Sequence, residues 1–407
     1  MPPIGTLSRY AAIPGCVFLF ILPFAHTVAL RLLCLFLAAS VAFYLWFRDP
    51  PPLPPCRLPF AFWAGLCWTS VLWSIEPAYS LGELINEVGY TILTFLVFYC
   101  LTKSELDWQK WRYTIVTSLC ILSIYAIFNY FELGTWDIAG EVKGKLGDRN
   151  SYSTYIILTI PFLLLTVSQT GVGLSPRKLG WVGLPLALIS GYLTLNRIMW
   201  PTLAVTTVVF GSLYLSKSSI SGRTRVIGAS AVAVLCLVFV AQFLLATYAK
   251  RSSNDATISD VQQNVKHDLR PRIWSYAEKR IRERPLTGYG YGKGILRSDF
   301  RNTFGNPRVT HAHNMILNYA LEVGLAGVVA LLWIFAALVQ QFWILYRTAN
   351  RKQWELGVFG LSLLTALTMK ALTDDILVRD NALLFWAFLG MSLGLGRRLA
   401  VASAGEA

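Results

Sequence analysis

The stretch HAHNMILNYALEVGLAGVVALLWIFAALVQQFWILYR, residues 311–347, decides the fold. Two histidines and an asparagine lead into an apolar run over 314–346, ample to cross a hydrocarbon layer of about 30 Å as helix. Its apolar stripe passes through Ile316, Leu317, Ala320, Leu321 and Leu325, and Gly324 and Gly327 supply the small-x-x-small spacing that lets helices approach closely. Asn314 or His313 is placed to cap it.

Outward from this run the texture repeats. Further apolar blocks are centred in 11–29, 31–47, 58–74, 84–101, 113–131, 151–169, 179–196, 198–215, 226–247, 356–372 and 382–396, most about 17 to 25 residues long. The 407 residues are 55% hydrophobic and only 14% charged, with mean hydropathy +0.51, too little polar surface for a soluble protein of this size. The expected class is all-α: a polytopic membrane protein of about twelve transmembrane helices, one transmembrane domain over 1–407. Only Arg9 offers basic charge before the first block and no small-x-small site ends it cleanly, so it reads as a span and not a cleaved signal peptide.

Short-loop Lys and Arg set the orientation. With the N-terminus inside, the inner loops carry Arg48, Arg57, Lys103, Lys110, Arg112, Arg177, Lys178, Lys217, Arg223, Arg225, Arg347, Arg351, Lys352, Arg397 and Arg398, whereas the outer loop SIEPAYSLGE (74–83) has no basic residue. Both termini are then cytoplasmic. This bias accounts for much of the formal net charge of +14, and with no groove-reading module or basic aromatic ribbon a nucleic-acid partner is not expected. Cys16, Cys34, Cys56, Cys67, Cys100, Cys120 and Cys236 lie in or beside spans, which implies no disulfide framework.

One connection differs from the rest. Residues 248–310 lie outside, between the ninth and tenth spans, and a loop of that length is usually functional or disordered. PRIWSYAEKRIRERP (271–285) puts Ile273, Trp274, Ala277 and Ile281 on one face with Glu278, Lys279, Arg282 and Glu283 largely opposite, an amphipathic helix on the membrane surface or capping the bundle. Pro285 ends it, and LTGYGYGKG (286–294) lacks the phosphate-loop spacing and a preceding strand, so it reads as backbone turning. The loop holds thirteen basic residues against six acidic ones. Long loops escape the orientation rule, so this excess points to an anionic partner, membrane lipid headgroups included.

The outer face thus gathers Arg197 in the LTLNRIMWP turn, Arg270 and Arg272 at the start of the loop helix, His311 and His313, and Asp374 with Asp375 in LTDDILVRD. Ionisable groups at membrane depth default to function. An imidazole at a helix N-terminus faces the positive end of the helix dipole, which favours the neutral form a general base requires. His26 reads as a hydrogen-bonding packing residue and His267 as solvated. A metal pair of His311 and His313 lacks a carboxylate or cysteine at motif spacing, so no metal is expected, and the aspartates serve as partners of an arginine or a histidine. One imidazole, two or three arginines and a carboxylate suit displacement of a diphosphate by a hydroxyl, with arginine forks on the phosphate oxygens.

His313-Asn314, nine residues, then Gly324-x-x-Gly327 resembles the H-[NSQ]-x9-G-x-x-G signature of bacterial O-antigen ligases, shared loosely with O-antigen polymerases and protein O-oligosaccharyltransferases. The twelve-span layout, the large loop, RPRIWSYAEKRIRERPLTGYGYG and the early LWSIEPAYSL extend the likeness. It implies a GT-C-like glycosyltransferase architecture and transfer of polysaccharide from undecaprenyl diphosphate to the terminal sugar of lipid A-core in the periplasmic leaflet of the inner membrane, without nucleotide or metal. It implies His313 as the base, Arg197 and Arg272 (or Arg270) on the diphosphate and Asp374 or Asp375 as the late carboxylate, with His311 and Asn314 beside the substrate. A single displacement inverts the anomeric carbon. The family commonly has Ser-Arg where Asn196-Arg197 stands here. The competing readings are a polymerase or protein transferase, which share the donor, and a transporter of lipid-linked sugar, whose internal repeats are absent between 1–200 and 201–407.

Overall fold

The computed structural model describes residues 12–133, 149–169, 174–194, 196–218, 228, 230, 232–242, 269–307 and 309–405. Every regular element among them is a helix. They run α1 (Ile13–Ile21), α2 (Val28–Arg48), α3 (Arg57–Thr69), α4 (Pro77–Glu83), α5 (Tyr90–Leu101), α6 (Glu105–Leu133), α7 (Arg149–Ser168), α8 (Leu174–Leu193), α9 (Met199–Lys217), α10 (Val232–Gln242), α11 (Arg270–Glu283), α12 (Arg297–Phe304), α13 (Met315–Glu322), α14 (Gly324–Arg347), α15 (Arg351–Ala371) and α16 (Arg379–Gly405).

Each of the twelve apolar blocks holds a helix, and seven of these are long and apolar enough to cross a membrane: α2, α4 continued through a π-type turn into α5, α6, α7, α9, α14 and α16. The protein is a polytopic, all-helical membrane protein. The other five blocks depart from simple spans for visible reasons. α1 has 9 residues before the turn that holds His26, and α3 has 13 before a tight turn over Ser70–Trp73. α8 and α15 have the length but are diluted by Arg177 and Lys178, and by Arg351, Lys352, Glu355 and Lys370. α10 is described over Val232–Gln242 only. His267 and the loop up to 268 lie outside the described residues.

The bundle packs α16 along α5, α14 between α3 and α15, and α15 against α7 and α9. Contact is close where side chains are absent. A Cβ on Gly390 would lie 2.4 Å from Phe95 O, and one on Gly394 2.6 Å from Tyr99 O, so α16 meets α5 backbone to backbone.

The run over 314–346 is two helices. At about 1.5 Å per residue its length exceeds the hydrocarbon thickness, and the chain breaks at Gly324, whose φ is +75°. A Cβ there would lie 2.1 Å from Leu286 O. Gly324 is therefore a bend under which the loop passes, and the helix–helix role expected of the small-x-x-small pair is not what it serves.

The loop helix caps the bundle. Ile273 and Ala277 of α11 are buried with Phe300, Val309, Ala312 and Leu321, and Trp274 and Ile281 pack at the margin, the apolar face expected from the spacing. The glycine run turns as expected and stitches three regions together: Tyr289 N donates to Leu321 O (2.8 Å), Ile75 N to Tyr289 O (3.0 Å) and Gly294 N to Tyr79 Oη (3.0 Å). The SIEPAYSLGE stretch is accordingly largely helical, as α4.

Candidate functional site

The site grows from the mouth of α13. Asn314 is the N-cap: its Oδ1 accepts from Ile316 N (3.0 Å) and Leu317 N (3.1 Å), while its Nδ2 donates to Leu372 O (3.1 Å) in the connection between α15 and α16. Just before it the chain is pinned from both sides. Trp274 Nε1 of α11 donates to Ala312 O (3.0 Å), and Ala312 N donates to Asn318 Oδ1 (2.8 Å). His313 then adopts φ 51°, a left-handed conformation disfavoured for a residue with a Cβ, which persists only because its neighbours are fixed.

These constraints hold the two imidazoles with ring centroids 4.0 Å apart, both facing one carboxylate. His311 Nε2 lies 3.4 Å and His313 Nδ1 3.7 Å from Asp374 Oδ1. His311 Nδ1 meets Thr310 Oγ1 at 3.0 Å, so both its nitrogens are engaged and its side chain is only 10% exposed. The His313 side chain is 30% exposed. Of the pair, His313 is the one a ligand can reach.

Asp374 is the late carboxylate that faces the imidazoles. Its Oδ2 accepts from Asn150 Nδ2 at the start of α7, and its Oδ1 from Asp375 N (2.8 Å), with Lys293 Nζ 3.8 Å away. Asp375 points elsewhere: its Oδ2 accepts from Asn318 Nδ2 (3.0 Å) and its carbonyl from Lys293 Nζ (2.8 Å). The electrostatics separate the two acids. Burial opposes the Asp374 anion, but hydrogen bonds from His311 and His313 and the charges of Lys293 and Lys370 outweigh it and hold the carboxyl well below the usual range. Burial raises Asp375. Burial also pushes His311 down to about 4, against its hydrogen bond to Asp374, so it stays neutral in ordinary buffers.

Asn150 joins this cluster to the arginine turn. Its Oδ1 accepts from the buried Lys370 Nζ (2.7 Å) and from Asn196 Nδ2 (3.3 Å), and Asn196 also donates to Ser153 Oγ (2.6 Å). Arg197 follows, exposed, and Arg272 is exposed in the first turn of α11. Neither has an ion-pair partner among the described residues. Arg270 is half-buried. The predicted site residues thus gather at one end of the bundle. His311, His313, Asp374 and Asn314 share one tight cluster with Asp375 adjoining it, Arg197 follows Asn196, which donates to Asn150, and Arg272 lies two residues before Trp274, which donates to Ala312 O.

The sequence reading missed Asn150, Lys293 and Lys370. Asn150 follows a polar stretch with no spacing signature, and Lys293 was one basic residue among thirteen. Lys370 did carry a signal, as a lysine inside an apolar helix.

Chemically the cluster offers one reachable imidazole backed by an anionic carboxylate. The same three side chains place ligand atoms within 4.8 Å of one another, close enough for a metal ion. No curated protein matches the chain. The likeness read from the histidine motif is nevertheless borne out independently: residues 182–332, which carry Arg197, Arg272, His311 and His313, match the model of the O-antigen ligase family.

Proposed function

We propose that the protein is an O-antigen ligase of the bacterial inner membrane, with both termini in the cytoplasm and the His313 end of the bundle facing the periplasm. The donor is polysaccharide on undecaprenyl diphosphate, and the acceptor is the terminal sugar of lipid A-core. The observation that carries the reading is the pairing of a reachable His313 with Asp374, and exposed Arg197 and Arg272 on segments hydrogen-bonded to that cluster support it.

Asp374 beside Nδ1 favours the proton on that nitrogen and leaves the Nε2 lone pair free. Nε2 takes the proton from the acceptor hydroxyl as its oxygen bonds to the anomeric carbon of the donor. The bond from that carbon to the diphosphate oxygen breaks, and the electron pair leaves with the diphosphate. Arg197 and Arg272, with Arg270 behind, meet the charge that develops there. One displacement inverts the anomeric centre, and the step as written draws on neither nucleotide nor metal.

The test is purified protein with lipid A-core, undecaprenyl-diphosphate-linked glycan and EDTA, comparing wild type with His313→Ala. Glycan on lipid A-core with inverted configuration, lost in the variant, supports the reading. Longer donor-linked chains would make the protein a polymerase. Intact donor, bound by folded protein, would make it a transporter, and a retained configuration would remove the single displacement.

A further inference from the structure

The His311, His313 and Asp374 cluster has a second property that the transfer step does not use. In a tetrahedral site with bonds of about 2.0–2.1 Å, neighbouring ligand atoms lie roughly 3.3–3.4 Å apart. The separations of 3.4 Å from His311 Nε2 and 3.7 Å from His313 Nδ1 to Asp374 Oδ1 come within a few tenths of that spacing.

The surroundings of each ligand atom fit as well. Metal-bound imidazoles characteristically donate their other N–H to an oxygen, and His311 Nδ1 already meets Thr310 Oγ1 at 3.0 Å. Asp374 is tied through Oδ2 to Asn150, and Oδ1, which also accepts from Asp375 N (2.8 Å), is the atom turned to both rings. The half-exposed His313 side leaves a fourth position open to water. Two imidazoles and one carboxylate select a borderline transition ion over Mg2+ or Ca2+, which prefer oxygen alone. Against this, Lys293 Nζ stands 3.8 Å from Asp374 Oδ1 and has to give way. Its side chain is 26% exposed, and its Nζ is also held by Asp375 O (2.8 Å), a partner that remains when an ion takes Oδ1.

We propose that His311 Nε2, His313 Nδ1 and Asp374 Oδ1 form a binding site for Zn2+ and similar transition-metal ions, and that the bound ion switches glycan transfer off. The chemistry of the switch follows from the nitrogen that is used. A neutral imidazole coordinated through Nδ1 carries its proton on Nε2, so Nε2 becomes a donor and can no longer accept the proton of the acceptor hydroxyl. The ion also takes the carboxylate that backs the base. The binding half stands on geometry alone, and the inhibitory half rests on His313 as the base proposed above.

The experiment uses tag-free, full-length protein stripped with chelator in detergent. Titration with Zn2+ by calorimetry is expected to show one ion per chain, with Mg2+ giving no heat, and affinity falling by at least about tenfold in His311→Ala and in Asp374→Asn. Co2+ serves as a spectroscopic probe that needs no variant: four- or five-coordinate visible bands support the site, and the spectrum of hexaaqua Co2+ overturns it. In the transfer assay Zn2+ is expected to inhibit and EDTA to restore. Zn2+ binding by a protein without transfer activity leaves the site standing and removes the ligase reading. Transfer that EDTA abolishes and Zn2+ restores overturns the inhibitory role. Lack of Zn2+ binding by an active enzyme removes the site and leaves the ligase.

Discussion

At the end of the bundle where α5 turns to α6 and α14 to α15, polar groups close on one another. Arg112 Nη1 donates to Gln169 Oε1 (2.5 Å), Gln169 Nε2 to Glu355 Oε2 (2.7 Å), and Arg351 Nε lies 2.9 Å from Glu355 Oε1. Arg398 spends its guanidinium on the carbonyls of Tyr99, Cys100, Thr102 and Gly394, neutralising the end of α5. At the opposite end Asp374 accepts from Asn150, His311 and Asp375 N, yet the side chains of His313, Arg197 and Arg272 remain accessible, and both His313 and Arg379 hold positive φ. At the first end the buried Arg112, Gln169 and Glu355 hold one another. The other orders its anion and leaves His313, Arg197 and Arg272 accessible, the arrangement that the proposed function requires of a site.

The comparison can be broken most sharply with a pair of variants. His313→Ala is expected to lower transfer by about 10²- to 10⁴-fold without moving the thermal midpoint, whereas Gln169→Ala should lower the midpoint in detergent and leave transfer per folded molecule intact. Equal loss of transfer in both would erase the division. Next in size, Asp374→Asn keeps the shape and removes the charge behind the histidine; a loss of roughly ten- to a hundredfold in kcat, larger than any change in KM, is the expected reading. Wild-type kcat in this variant would leave the carboxylate a purely structural role.

Two smaller effects sharpen the same line. Trp274→Phe removes the hydrogen bond to Ala312 O and keeps the ring packed, a net change of about 1 kcal/mol; faster amide exchange at 311–314, with the closed end unaffected, is what hydrogen–deuterium exchange should record. Lys352→Met deletes a half-exposed ion pair to Glu105 at the closed end. Its midpoint shift should correspond to less than about 0.5 kcal/mol, because exposed pairs contribute little.

The helices were legible because apolar length is a local signal, and α11 was legible because Ile273, Ala277 and Ile281 repeat at helical spacing. The bend at Gly324 could have been read from length alone, since a run of that size overshoots the membrane. The cluster itself was less accessible. The histidines and the aspartate pair stood out as ionisable groups beside apolar spans, likeness to a family chose His313 as the base, and the choice between Asp374 and Asp375 needed geometry, because adjacent residues in an irregular segment point in directions that no periodicity fixes. Asn150 was invisible for the same reason: its partners Asp374, Lys370 and Asn196 belong to three other parts of the chain, and nothing near residue 150 announces them.

The order in which the cluster's parts occur along the chain has a consequence for biogenesis. Both histidines leave the ribosome before α14 and α15, and Asp374 follows only in the connection to α16. A chain still being threaded into the membrane, or one cut short after α15, therefore carries the imidazoles without the carboxylate that orders them. On the function proposed above, full activity would come only when the last helix pair is in place, and incomplete copies would transfer slowly.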